Sequence, residues 1–161
     1  MPSTAVAAIL AAMIDVIAVG TDGSATADKA VEFAIDMAAR HEAELIVLSA
    51  FSSNPSALAS AAMSTAWGTP GPVVPEWSAH EAERVEELLA HAKHRAEQRG
   101  VACRTASGDG DPAAVLIELA ERHGADLLVI GNRGMQRRVL GSVPNTITHK
   151  ARCSVFVVKT T

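Results

Sequence analysis

Thirteen consecutive residues near the end of the chain concentrate the features that hold an anion: Gly131, Asn132, Arg133, Gly134, Met135, Gln136, Arg137, Arg138, Val139, Leu140, Gly141, Ser142 and Val143. Glycines let a backbone approach a ligand closely and aim successive amides into one concavity, and a helix starting near Ser142 adds free N–H groups and the positive end of its dipole. Phosphate is the group that suits such a loop. A turn plus a helix cap explains each glycine separately. The combination of a strand ending at Ile130, two glycines, a Gly-Ser helix start and three arginines is a stronger signal. Charge agrees: Arg133, Arg137, Arg138, Lys150, Arg152 and Lys159 lie between Asn132 and Thr161, where no acid occurs, although the chain carries 18 Asp+Glu and a net charge of −4. A one-signed stretch in an acidic chain raises the local potential where an anion docks, and it is too short for a nucleic-acid footprint. With 3% aromatic residues and no Tyr, a base-stacking surface has little to build from. A small phosphorylated ligand fits, and no nucleic acid is expected.

Other constellations carry less. Gly108-Asp109-Gly110-Asp111-Pro112-Ala113 fits a G-x-G-x-x-A dinucleotide pattern. Its aspartates would repel a pyrophosphate, it does not follow the first strand, and Asp126 sits at the wrong end of its strand to hold a ribose. It reads as a turn and helix cap. His91 and His94 share a helical face at i, i+3 but show no third metal ligand, so solvent-facing histidines are the plainer reading. His149 suits a helix C-terminus. Cys103 and Cys153 fit no C-x-x-C spacing; Cys153 is redox-sensitive only if cations such as Arg152 lower its pKa, and a packed thiol is the commoner outcome. Phosphate-loop, nucleophile-elbow and metalloprotease motifs are all missing.

The elements that must position these residues follow from pattern. One hundred and sixty-one residues, 48% hydrophobic and 20% charged, are about what one domain needs, and no run approaches the roughly 18 apolar residues that span a bilayer. No membrane partner is expected. Residues 1–13 form an alanine-rich leader lacking the basic flank of a secretory signal, which points to a frayed or loosely docked start, a domain over 14–161 and a cytoplasmic location. Strands are expected at Asp15–Val19, Leu45–Leu48, Val101–Thr105, Leu127–Ile130 and Val155–Val158. Helices are expected from about Ala27 to Ala38, Ala79 to Arg99, Asp111 to Gly124 and Val143 to Ala151, the third capped by Asp111 and opened by Pro112. This rhythm predicts an α/β, doubly wound, five-stranded parallel sheet with helices on both faces, whose ligands sit at the strands' carboxyl ends where strand order reverses. The turns after strands one and four therefore matter most. The segment Ser52–Trp77, with four prolines, is either a surface connection or a lid.

In this order of motifs the chain resembles the universal stress protein family, whose nucleotide-binding members carry Gly-x-x-Gly, nine residues, then Gly-Ser or Gly-Thr. Gly131, Gly134, Gly141 and Ser142 match those positions, and the likeness runs from about Ile14 to Lys159, through Val19 to Ser24, Gly110-Asp111-Pro112 and Ala125 to Gly131. One departure is plain: six residues, Met135 to Leu140, separate Gly134 from Gly141. Six can span roughly 20 Å, so the loop still closes with three fewer backbone groups to wrap a triphosphate. Arg137 and Arg138 either compensate by charge or form a solvated surface pair.

The resemblance implies a Rossmann-like fold of the adenine nucleotide alpha hydrolase-like type and a regulatory, stress-response protein rather than an enzyme. Its implied ligand is ATP, AMP or cyclic AMP, with Mg2+ as a companion for ATP. The implied site comprises Gly20, Thr21 and Asp22 after the first strand, with Asp22 at the adenosine end, and Ala50 at the adenine. It continues with Ile130, Gly131, Asn132, Arg133, Gly134, Arg137, Arg138, Gly141, Ser142 and Val143. A homodimer through Val155–Val158 is implied as well, and covers an apolar edge strand. Two alternatives stand beside this reading. One is a dimeric interaction module that binds no nucleotide. The other is a slow ATP hydrolase or self-phosphorylating protein with Ser142 or Thr146 as acceptor, although no evident base or metal cluster supports rapid turnover.

Overall fold

In order, the chain forms β1 (Val16–Gly20), α1 (Ala25–His41), β2 (Glu44–Phe51), α2 (Glu76–Gln98), β3 (Cys103–Asp109), α3 (Pro112–Arg122), β4 (Leu127–Asn132), α4 (Ser142–Lys150) and β5 (Ser154–Lys159). The computed structural model describes residues 14–52, 76–132 and 140–159. The leader 1–13, nearly all of the Ser52–Trp77 connection, and Arg133, Gly134, Arg137 and Arg138 lie outside the described residues.

The five strands pair in parallel in the order β3-β2-β1-β4-β5. Helices cover both faces, as a doubly wound sheet requires. On one face α1 (Ala30, Val31, Ala34, Ile35, Ala38) and α2 (Val85, Leu89, Ala92, Ala96) close over Ile17, Val19, Leu45, Val47 and Val129. On the other, α3 (Leu116, Leu119, Ala120) and Ile147 of α4 close over Ala18, Ile46, Leu48, Leu128 and Ile130. Alternate residues of one strand feed alternate cores, which is why the central strands read as unbroken apolar runs.

Local chemistry sets the helix ends. The Ser24 hydroxyl accepts from Ala27 N at 3.2 Å and starts α1; Asp111 accepts from Ala114 N at 3.0 Å and starts α3, with Pro112 in its first turn. After α2, Gly100 takes φ +73 while Val101 N donates to Ala96 O at 3.0 Å, the left-handed stop that glycine makes inexpensive.

Three strands run further than expected: β2 goes on past Leu48 to Phe51, β4 past Ile130 to Asn132, and β3 shows the largest extension. β3 does not stop at Thr105: Ala106, Ser107, Gly108 and Asp109 continue in register against Leu48, Ser49, Ala50 and Phe51. As an edge strand it shows solvent one face, so its polar residues mask the pattern. Gly108 is thus a strand residue, and Asp111 alone makes the helix cap.

Candidate functional site

The site lies where strand order reverses, between β1 and β4. The chain leaves β1 through Thr21-Asp22-Gly23-Ser24, and four hydrogen bonds hold this turn. Thr21 N donates to Leu48 O at 2.8 Å, the buried Ser49 hydroxyl donates to Thr21 O at 2.8 Å, Gly23 N donates to Thr21 Oγ1 at 3.2 Å, and Ser24 N donates to Asp22 Oδ1 at 3.0 Å. Gly23 adopts φ +76. The first wall is therefore tied to the end of β2 before any ligand arrives.

Opposite it, β4 ends at Asn132 and α4 begins after Gly141. No side chain caps α4, Pro144 in its first turn has no N–H, and Asn145 N makes the first helical bond, to Gly141 O at 3.0 Å. Helix geometry leaves the amides of Ser142 and Val143 without intrahelical acceptors, at the positive end of the dipole.

Between the walls is a cavity of about 310 Å3, within the size range of small-ligand pockets, generally about 300–1,000 Å3. Of the residues singled out from sequence, Gly20, Thr21, Asp22, Ala50, Ile130, Gly131, Gly141, Ser142 and Val143 all line it. Ala50 is the penultimate residue of β2 rather than its last. Asn132 is buried, and its Oδ1 accepts from Gly141 N at 3.3 Å. Ser24, Thr26, Ala27, Pro112, Leu116 and Pro144 also line the cavity and were not singled out. They belong to the N-cap and opening turns of α1, α3 and α4, and in the sequence the capping residue Asp111 marks one of those helix starts.

Packing against backbone demands a glycine at Gly131, whereas at Gly20 the tight contact is only the tip of a flexible side chain that can turn aside. A Cβ on Gly131 would lie 2.9 Å from Thr26 O and 3.1 Å from Thr26 Cγ2, so its bareness lets α1 start against β4. A Cβ on Gly20 would lie 2.9 Å from Leu116 Cδ1. Gly141, by contrast, has ordinary room: a Cβ would be 3.6 Å from Pro144 Cδ and 3.8 Å from Asn132 Oδ1.

Charge at the first wall has a second layer. The Glu81 carboxylate accepts from Arg84 at 2.6 Å and, with a smaller contribution from Asp22, holds the guanidinium above its ordinary pKa. At the opposite end of the sheet, Asp126 Oδ2 accepts from Asp15 N and Val16 N at 2.9 and 3.0 Å, far from any ribose at the carboxyl edge. Both cysteines are free thiols; burial pushes Cys103 up to about 11 and raises Cys153. Arg152 lies 3.7 Å from Glu121, and among the described residues no cation lowers the Cys153 thiol. His91 and His94 are exposed on α2, and among the described residues no three His, Cys, Asp or Glu side chains gather to hold a metal ion. No helix among them is long and apolar enough to cross a membrane.

A profile of the universal stress protein family matches residues 13–159. The chain belongs to the universal stress protein family. It is 32% identical over 151 residues to universal stress protein Rv1636 of Mycobacterium tuberculosis, covering 90% of this chain and 96% of that protein. It is 26% identical over 150 residues to universal stress protein YxiE of Bacillus subtilis, covering 91% of this chain and all of the relative. Among solved structures, a universal stress protein in complex with cAMP superposes with a TM-score of 0.67 at 28% identity, covering 92% of this chain and 99% of that one. The Rossmann-like parallel sheet is thus the architecture of this family's solved members.

Proposed function

We propose that this universal stress protein binds an adenine nucleotide in the cavity between β1 and β4 and acts as a regulatory protein rather than as an efficient catalyst. One observation carries the reading. The amides of Ser142 and Val143 border the same 310 Å3 cavity as Asp22 and Ala50, so a phosphate-binding helix start faces a wall suited to a nucleoside. The cAMP complex of the 28% identical relative supports an adenine mononucleotide. In this reading Gly20, Thr21, Asp22 and Ala50 take the nucleoside, and Ile130, Gly131, Gly141, Ser142 and Val143 present backbone to ribose and phosphate. Arg133, Gly134, Arg137 and Arg138 belong to the sequence motif and are proposed on that ground alone. Mg2+ accompanies the ligand only if that ligand is ATP.

We place a homodimer contact on β5. It is an edge strand, and Phe156, 40% exposed, stacks on Phe33 with ring centroids 4.7 Å apart. A cytoplasmic regulator is the role these features suit.

The test is to denature the purified protein, identify released small molecules by mass spectrometry, and titrate ATP, AMP and cyclic AMP calorimetrically. An adenine nucleotide released or bound, with affinity lost in Gly141→Val while the circular dichroism spectrum is kept, is the expected outcome. No binding of any of the three at millimolar concentration refutes the reading and leaves the nucleotide-free interaction module.

A further inference from the structure

Among the described residues the buried polar side chains are Thr21, Ser49 and Asn132, at 7%, 1% and 3% exposure. All three stand toward the carboxyl ends of β1, β2 and β4; Thr21 lines the cavity, and Ser49 and Asn132 each adjoin in sequence a residue that does, Ala50 and Gly131. A buried carboxamide is costly unless hydrogen-bonded, so Asn132 needs partners where it stands. One bond to its carboxamide oxygen comes from Gly141 N, at 3.3 Å across nine positions of sequence.

Strand alternation explains the geometry. Gly131 turns to the α1 side, where Thr26 O leaves no room for a Cβ, and Asn132 turns the other way, toward the start of α4. Gly141 is the N-cap of α4, with φ −59 and ψ 165. Fixing its amide fixes where the next two amides, those of Ser142 and Val143, stand along the cavity.

We infer that Asn132 is a positioning residue whose carboxamide ties the end of β4 to the N-cap of α4 and so sets the start of α4 against the cavity. It acts through Gly141. The inference rests on the proposed nucleotide site for its ligand effects, and the experiment separates the two.

The full chain is compared as wild type, Asn132→Ala and Asn132→Asp. Native-state hydrogen exchange by NMR reads the Gly141 amide without ligand, and calorimetry reads adenosine and AMP. In N132A the Gly141 amide exchanges about three- to tenfold faster, the factor one lost hydrogen bond supplies. In N132D a carboxylate oxygen still accepts, and protection persists. AMP affinity falls by a similar factor in N132A while adenosine affinity stays level, a split that general loosening of the fold would not produce. Unchanged Gly141 protection in N132A, or equal losses for adenosine and AMP, overturns the inference. If N132A does not fold, N132D decides: loss of Gly141 protection there overturns it. If the wild type binds neither ligand, the nucleotide reading fails, and the exchange measurement still decides the role of Asn132.

Discussion

Gly131 and Gly141 are both motif glycines, yet the structure gives them different reasons to exist, and alanine at each position separates those reasons. At Gly131 a Cβ would sit 2.9 Å from Thr26 O, 3.1 Å from Thr26 Cγ2 and 3.3 Å from Thr26 C. Two of those three atoms are backbone, in the first turn of α1, and cannot rotate away. Overpacking of this kind costs about 1–3 kcal/mol. A domain of this size shifts by about 2–4 °C per kcal/mol, so Gly131→Ala lowers Tm by about 2–12 °C without any ligand present. At Gly141 the nearest atoms to a Cβ are 3.6 and 3.8 Å away and the backbone is extended rather than left-handed. There the poorer N-cap preference of alanine costs some tenths of a kcal/mol. Restricting the unfolded chain returns about 0.4–1 kcal/mol, and Tm stays within about 2 °C. Thermal denaturation of the two variants, freed of nucleotide, is the assay. If Gly131→Ala is as stable as the wild type, or if Gly141→Ala is the more damaging change, the division between a packing glycine and a ligand-facing one is wrong. The comparison also corrects an obvious test of the site: a β-branched residue at 131 strikes the protein's own backbone, so its effect on binding says little about the ligand, whereas one at 141 does.

Glu42 ends α1 in the left-handed region, at φ 55, and it is exposed. Glu42→Gly therefore raises stability by up to about 1 kcal/mol in chemical denaturation, and an unchanged or lowered midpoint contradicts the strain. At β5, Val157 packs inward against the α3 and α4 side, so a charge there attacks the fold itself. Phe156→Glu is the cleaner probe, and light scattering should then show a monomer with a native circular dichroism spectrum; a dimer of unchanged mass counts against the β5 contact. Burial raises the Cys103 thiol to about 11, so the unfolded chain loses that proton first and stability declines as pH rises from about 9 toward 11. Cys103→Ala removes this decline, and urea midpoints at pH 8 and 10.5 for both proteins check it.

How much of this was legible in the sequence follows from what each residue answers to. Leu45 to Leu48 and Leu127 to Ile130 are buried on both faces, and an unbroken apolar run records that directly. Asp111-Pro112 and Ser24 record helix starts, because few residue types can supply an oxygen to a free amide. The sequence pattern understates β3 because an edge strand answers to solvent on one side, and Arg104, Thr105, Ser107 and Asp109 carry no apolar signature. Nine of the cavity-lining residues are legible because motif glycines and the first turn are local in sequence. Thr26, Leu116 and Pro144 were not, because they reach the cavity only once α1, α3 and α4 are docked.

Ser49 and Asn132 show the same limit from the functional side. In sequence each is a polar residue at the end of an apolar run, indistinguishable from a strand terminus meeting water. In the fold each is buried, and each holds the backbone of another segment: Ser49 the carbonyl of Thr21, Asn132 the amide of Gly141. A sheet that ends in water has no use for buried hydroxyl and carboxamide groups, and their desolvation makes them costly unless they are bonded. Here they fix the two walls of the cavity in advance, and under the proposed nucleotide reading a ligand between β1 and β4 would meet groups already oriented.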